Sequence, residues 1–263
     1  MKSNNNRISG RKRRVITAAV AVLLVAVLAA GGYAGNMFGY FNGGNASEYS
    51  VKNSEKISGA LEGRTVIFLG SSVTYGFAAK GESFADYLAA QDGIIAVKEA
   101  KSGTTLVDDS ADSYIARMKK LDTRLKADAF VCQLSTNDAT QGKPLGTVGD
   151  GFEAEGFDTH TVAGAIEYII AYAKATWNCP VIFYTNPQYD SEEYARMVAL
   201  LGEIAEKWEI GVIDLWHNEA VNSLDGEQFK IYMNDSIHPT RAGYRELWAP
   251  IFREYLEKVL SEG

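Results

Sequence analysis

Residues 64–263 predict an α/β fold, a doubly wound parallel sheet of five strands with helices on both faces. Two observations carry this. Five short runs rich in Val, Ile or Phe recur at residues 65–69, 94–98, 129–135, 181–185 and 211–214. Short, almost wholly apolar runs of this kind read as parallel strands buried on both faces. Segments of helical pattern separate them, and strict alternation implies right-handed crossovers between parallel neighbours.

Each helical segment has its own signal. Residues 83–91 and 110–125 follow the first and second strands. In residues 159–177, Val162, Ile166, Ile169, Ile170 and Ala173 recur at helical spacing, with Asp158 or Thr159 as the cap. In residues 191–208, Tyr194, Val198, Leu201, Ile204, Ala205 and Trp208 form a similar stripe. A last helix, residues 240–260, closes the chain. These stripes are read as core. Residues 141–156 and 218–234 read as loop-like insertions.

The beginning of the chain differs in kind. Val15 to Ala30 is an almost unbroken apolar run, preceded by Arg11-Lys12-Arg13-Arg14, and no charge occurs from Val15 to Ser47. A spanning helix needs about 20 apolar residues, a length reached by including Gly31 to Ala34. The run reads as a signal-anchor helix, with a cleavable signal peptide as the alternative, since Gly32 and Ala34 suit a signal peptidase. In either case the basic flank stays cytoplasmic and the body is exported. Residues 35–60, rich in Gly, Asn and Ser, read as a flexible stalk. The expected division is a basic flank at 1–14, the apolar helix at 15–34, the stalk at 35–60 and a catalytic domain at 61–263.

Charge and cysteine content narrow the function. Six of the 26 basic residues lie in residues 1–14 without an acid, so 20 basic and 33 acidic residues remain beyond, a formal balance of −13. An acidic body argues against nucleic acid as a partner and against docking of the body on anionic lipid. Cys132 and Cys179 are the only cysteines and lie in or beside apolar runs, so two buried free thiols are expected, with a disulfide as the lesser alternative. No Cys follows the leader to accept a lipid. No Cys-x-x-Cys pair or His-rich cluster suggests a metal.

Two segments carry the chemistry. Gly70-Ser71-Ser72 follows the first strand, and Asp235-Ser236-Ile237-His238-Pro239 precedes the last helix. Alone, the first is an ordinary turn with a helix cap. A phosphate loop is disfavoured by the absence of Gly-Lys-Ser/Thr. The second places a carboxylate and an imidazole three residues apart. Asp235 can orient His238, whose other nitrogen can take a proton from Ser72. Of the remaining histidines, His160 lies at a helix start and His217 follows the fifth strand, both suited to surface or capping roles. Gly103 follows the second strand and Asn137 the third. Separately each is a turn residue; together with the Ser72 amide they supply three donors for an oxyanion.

Ser72, Gly103, Asn137 and His238, in that order on a flavodoxin-like sheet, resemble the four blocks of the SGNH (GDSL-type) hydrolases. The resemblance runs from about Arg64 to the C-terminus and implies a three-layer α/β/α domain. It also implies Ser72 as nucleophile, His238 as general base, Asp235 as its orienting acid, and no metal or organic cofactor. The oxyanion hole would be the Ser72 and Gly103 amides and the Asn137 side chain. Two departures stand out. Ser71 replaces the family's usual Asp before the nucleophile, and Ser135 replaces the usual Gly of Gly-x-Asn-Asp. Neither removes a catalytic group.

The expected substrate is a small-molecule or glycan ester. Tyr75, Gln188, Tyr189 and Tyr232, with Phe77, Asn186 and Trp216, lie near predicted strand ends and suit a sugar face. Ordinary packing accounts for them equally well. An exported acetyl esterase acting on carbohydrate is the expected activity. An acyltransferase of the same fold or a lipase is the alternative, and a non-catalytic surface module is the third reading.

Overall fold

The computed structural model describes residues 10–261. The basic flank assigned to residues 1–14 lies outside the residues whose side chains are described. In chain order the helices are α1 (Gly10–Met37), α2 (Ser72–Tyr75), α3 (Phe84–Asp92), α4 (Tyr114–Met118), α5 (Thr136–Thr140), α6 (Val162–Trp177), α7 (Glu192–Trp208), α8 (Glu219–Asn222), α9 (Gly226–Tyr232) and α10 (Ala249–Ser261). The strands are β1 (Thr65–Gly70), β2 (Ile95–Ala100), β3 (Ala129–Gln133), β4 (Val181–Tyr184) and β5 (Gly211–Ile213).

All strand pairs are parallel, and the order is β2-β1-β3-β4-β5. This is the flavodoxin-like doubly wound order, and it reverses between β1 and β3. Successive side chains on a strand point to opposite faces. Val66 and Phe68 therefore join α3 and α10 in one apolar layer, while Ile67 and Leu69 join α6 and α7 in the other. Phe84, wholly buried, stacks on Phe252 at 3.9 Å between ring centroids. Burying such a side chain contributes about 1.5–3 kcal/mol. The central strands are buried on both faces as expected, but β2 is not: it forms one edge of the sheet, and Ile95 is half exposed.

Several expected elements change. The helix expected at 110–125 contracts to α4. Ser113 caps its start, and the Asp122 side chain accepts the Arg124 amide just beyond it, a local bond that competes with helix continuation. The insertion at 218–234 holds α8 and α9. Asn218 caps the first, and an Asp225–Gln228 capping box starts the second. The last helix opens with a π-helical stretch, Gly243–Trp248, before α10.

The segment expected as a flexible stalk is fastened to the body. Three 3-10 turns, Gly43–Asn45, Ser47–Tyr49 and Val51–Asn53, form a strap. Asn45 is buried, donates to the carbonyls of Gly39 and Ala78, and accepts the Arg241 amide. Glu82 accepts from Ser50 Oγ and the Val51 amide and pairs with Arg241 at 2.7 Å. At Gly44 a Cβ would lie 1.8 Å from the Ile231 carbonyl oxygen, so only glycine permits this approach. The Gly- and Asn-rich composition serves close contact and capping rather than slack.

Helix α1 carries the apolar leader. Among the described residues, no helix is long and apolar enough to cross a membrane. Cys132 and Cys179 are free and buried. Burial pushes the Cys132 thiol well above its ordinary value and that of Cys179 to about 11, so neither is an activated nucleophile.

Candidate active site

The nucleophile turn is built from β1 outward. Ser71 stands at the N-cap position of α2 without a side-chain capping bond, and Ser72 is its first residue. A single buried side chain on β3 fixes the turn: Gln133 Oε1 accepts from the Ser71 amide at 2.9 Å, from Thr74 Oγ1 at 2.9 Å and from Ser71 Oγ at 3.3 Å. A neutral amide thus anchors the position where the family more often has an acid. Neither the Ser72 amide nor that of Gly103 meets an acceptor among the described residues.

The histidine loop is closed by main-chain bonds. Met233 and Pro239 form an antiparallel bridge, Asn234 donates its amide to the His238 carbonyl at 2.8 Å, and Thr240 donates to Tyr232 at 3.0 Å. Inside it, Asp235 Oδ1 accepts the amides of Ile237 and His238, both at 2.8 Å. Its two oxygens lie 3.0 and 2.9 Å from His238 Nδ1, and Ser72 Oγ lies 2.8 Å from Nε2. Burial alone would raise the Asp235 carboxyl. The His238 hydrogen bond and charge, with the two amides, outweigh it and hold the group below its ordinary value. Asp235 therefore stays ionised and fixes the tautomer with the proton on Nδ1, leaving Nε2 to accept from Ser72.

Across the sheet, the fully buried Asn186 donates Nδ2 to the Ile237 carbonyl at 2.9 Å and so ties the end of β4 to the histidine loop. On the other side, the Phe77 ring lies 5.3 Å from the His238 ring. Phe38, from the strap side, lies 5.0 Å from Phe77.

The remaining donors come together through the loop after β2. Gly103 adopts φ +79°, which a side chain would strain. Asn137 Nδ2 donates to the Thr104 carbonyl at 2.9 Å. An amide NH₂ has two hydrogens, so one is left for an oxyanion. Asp138 accepts the amides of Leu106 and Val107 and holds the same loop from beneath.

Arg117, which the sequence did not single out, joins this loop to the nucleophile strand. Only 4% exposed, it donates Nη2 to the Gly70 carbonyl at 2.8 Å and to Thr104 Oγ1 at 3.1 Å. Its Nη1 reaches the Glu99 carbonyl and carboxylate. One guanidinium thus spans the ends of β1 and β2 and the loop beside Gly103, a use of five donors that lysine cannot match.

The proposed substrate contacts divide. Tyr75 is 45% exposed, directly after the nucleophile turn. Tyr232 donates to Glu246 at 3.0 Å, and Gln188 is exposed with its amide on Asn222. Tyr189 and Trp216 instead pack with Tyr194 on the core, as ring distances of 5.1 to 6.0 Å show. His160 and His217 are exposed and apart from the serine. Among the described residues no cluster of three or more His, Cys, Asp or Glu could hold a metal.

The arrangement has relatives. Residues 68–246 match the model of the GDSL-like Lipase/Acylhydrolase family. A protein from Lactobacillus plantarum is 20% identical over 75% of this chain and 98% of its own, with a TM-score of 0.63. A GDSL-like lipase candidate from Bacteroides ovatus is 20% identical over 75% of this chain and 99% of its own, with a TM-score of 0.56. The acetyl xylan esterase AlAXEase is 17% identical over 73% and 97%, with a TM-score of 0.52. No curated protein matches. At these identities the solved structures speak for the fold, while the family match spans most of the chain and both ends of the Ser72–His238 pair. The chain belongs to the GDSL-like lipase/acylhydrolase family.

Proposed function

We propose that the protein is an exported serine esterase that removes short acyl groups, acetyl above all, from carbohydrate. The observation that carries the catalytic part is the 2.8 Å contact of Ser72 Oγ with His238 Nε2, backed by Asp235 on Nδ1. Ser72 Oγ attacks the ester carbonyl carbon while Nε2 takes its proton. The tetrahedral oxyanion is met by the amides of Ser72 and Gly103 and by Asn137 Nδ2. The C–O bond to the alcohol then breaks as Nε2 returns the proton to it, leaving acyl-Ser72. Water repeats the sequence, and the acid leaves. A well-placed oxyanion donor is worth about 2.7–4 kcal/mol in the transition state.

Ala78 and Ala79, just after the nucleophile turn, are fully buried, the Ala78 carbonyl taken by Asn45 and Ala79 packed in the core, so this stretch lines no open acyl groove. The exposed Tyr75 ring offers a sugar face, and a similar fold occurs in an acetyl xylan esterase. The charge-free leader behind a basic flank supports export, with the leader as anchor or as cleaved signal. The test is a series of nitrophenyl esters of increasing acyl length, with acetylated sugars, on the full chain and on Ser72→Ala. Acetyl should be preferred, and Ser72→Ala should abolish turnover. Full activity in Ser72→Ala would remove the nucleophile; preference for long chains would replace the acetyl reading by a lipase. Transfer of acetyl to an added glycan alcohol in place of water would make it an acyltransferase.

A further inference from the structure

The end of α1 and the active-site loop are one fastened unit. Asn234, the residue before Asp235, donates Nδ2 to the carbonyls of both Asn36 and Met37, at 3.3 Å each. Asn42 donates to the Met233 carbonyl at 3.3 Å. The rings of Phe38, Phe77 and His238 follow one another at 5.0 and 5.3 Å. The end of α1 therefore stands directly beside the loop that carries His238.

What α1 shows is an unpartnered apolar surface. Val22, Leu23, Leu24, Val25, Val27 and Leu28 are 57–73% exposed. Beyond them, Tyr33, Tyr40 and Phe41 are 62–75% exposed. Aliphatic residues on all sides of a helix, followed by exposed aromatic rings, is the pattern of a segment that meets hydrocarbon first and headgroups next. Charge agrees: residues 15–47 carry none, Arg11-Lys12-Arg13-Arg14 precedes them, and the acidic balance lies in the body. An anionic bilayer attracts the first end and repels the rest.

We propose that residues 22–41 are a phospholipid-contacting surface that holds Ser72 and His238 at the water face of an anionic bilayer. The ester reaching Ser72 is then carried by a membrane-embedded amphiphile, its acyl group on the exposed polar head. The contact requires only that this face meet lipid, whatever depth α1 reaches. The substrate part rests on the esterase reading above.

Full-length protein in vesicles of phosphatidylcholine and phosphatidylglycerol tests both parts. In Tyr40→Trp, the added fluorescence should be quenched by lipids brominated near the headgroup; lack of quenching in vesicle-bound protein overturns the surface. In Tyr40→Ser/Phe41→Ser, hydrolysis of the acetyl ester of an alkyl-chain nitrophenol dissolved in the vesicles should fall about tenfold. Soluble nitrophenyl acetate should be turned over as before. Equal rates of the variant and the native chain on the vesicle-borne ester overturn the substrate class. Failure of the native chain on nitrophenyl acetate sinks the esterase reading instead, and the quenching result stands apart from it.

Discussion

Two loops of this chain carry the spacing Asp-x-x-His and fold it alike. At 214–217, Asp214 accepts the His217 amide at 3.2 Å and meets its Nδ1 at 2.7 Å. At 235–238, Asp235 accepts the His238 amide at 2.8 Å and meets Nδ1 at 2.9 Å. Four residues thus suffice to orient an imidazole, because the carboxylate that accepts the backbone amide also reaches the ring. The difference lies across the sheet. The His217 side chain is 65% exposed at the β5 edge and its Nε2 meets no described group, whereas that of His238 is 18% exposed and faces Ser72. A dyad is local; a nucleophile for it is supplied by strand order, which sets the end of β1 within reach of the later loop.

The sharpest way to break this comparison is to remove each imidazole in turn. His238→Ala should lower kcat/KM on nitrophenyl acetate by about four powers of ten or more. His217→Ala should leave it unchanged. Comparable losses would mean that the two loops are not as different as their surroundings suggest.

Next in size is the oxyanion donor that the 214–217 loop has no counterpart for. Asn137→Ala should lower kcat by about two to three powers of ten with little change in KM, since the lost hydrogen bond matters in the transition state. An unchanged kcat would take Asn137 out of the hole and leave it as a brace for the Thr104 carbonyl.

Much of this was legible in the sequence, and the rest was illegible for physical reasons that differ by region. The interiors of β1, β3 and β4 are short apolar runs, so their burial follows from composition. Ser72, Asp235 and His238 stand out because their side chains are chemically rare in combination. Gln133 and Arg117 do not, and Asn186 reads from the sequence only as a sugar-facing amide, although all three hold the catalytic turns in place. Their hydrogen bonds reach residues 62, 47 and 51 positions away. Each is an ordinary polar residue until the sheet brings its hydrogen-bond partner near. The strap was hidden differently: Gly44 and Asn45 look the same in a slack linker and in a close-packed turn. The capping box of α9 is present as Asp225-x-x-Gln228, but it lies in a short polar segment whose composition is that of a loop.

The smallest effect concerns what the catalytic loop gains from its carboxylate apart from catalysis. Asp235 is held below its ordinary value in the folded chain. A group depressed on folding contributes stability above its unfolded pKa, about 3.9 for Asp, and loses it as pH falls through the lower folded value. Because the side chain is 46% exposed, solvent screening keeps the contribution at or below about 1 kcal/mol. The denaturant midpoint of the native chain should therefore exceed that of Asp235→Asn by a small constant margin from pH 7 to 5, and the margin should close below pH 4. A margin that instead grew in acid would mean that the Asp235 carboxyl is raised by its burial, and that the His238 and amide contacts do not outweigh it.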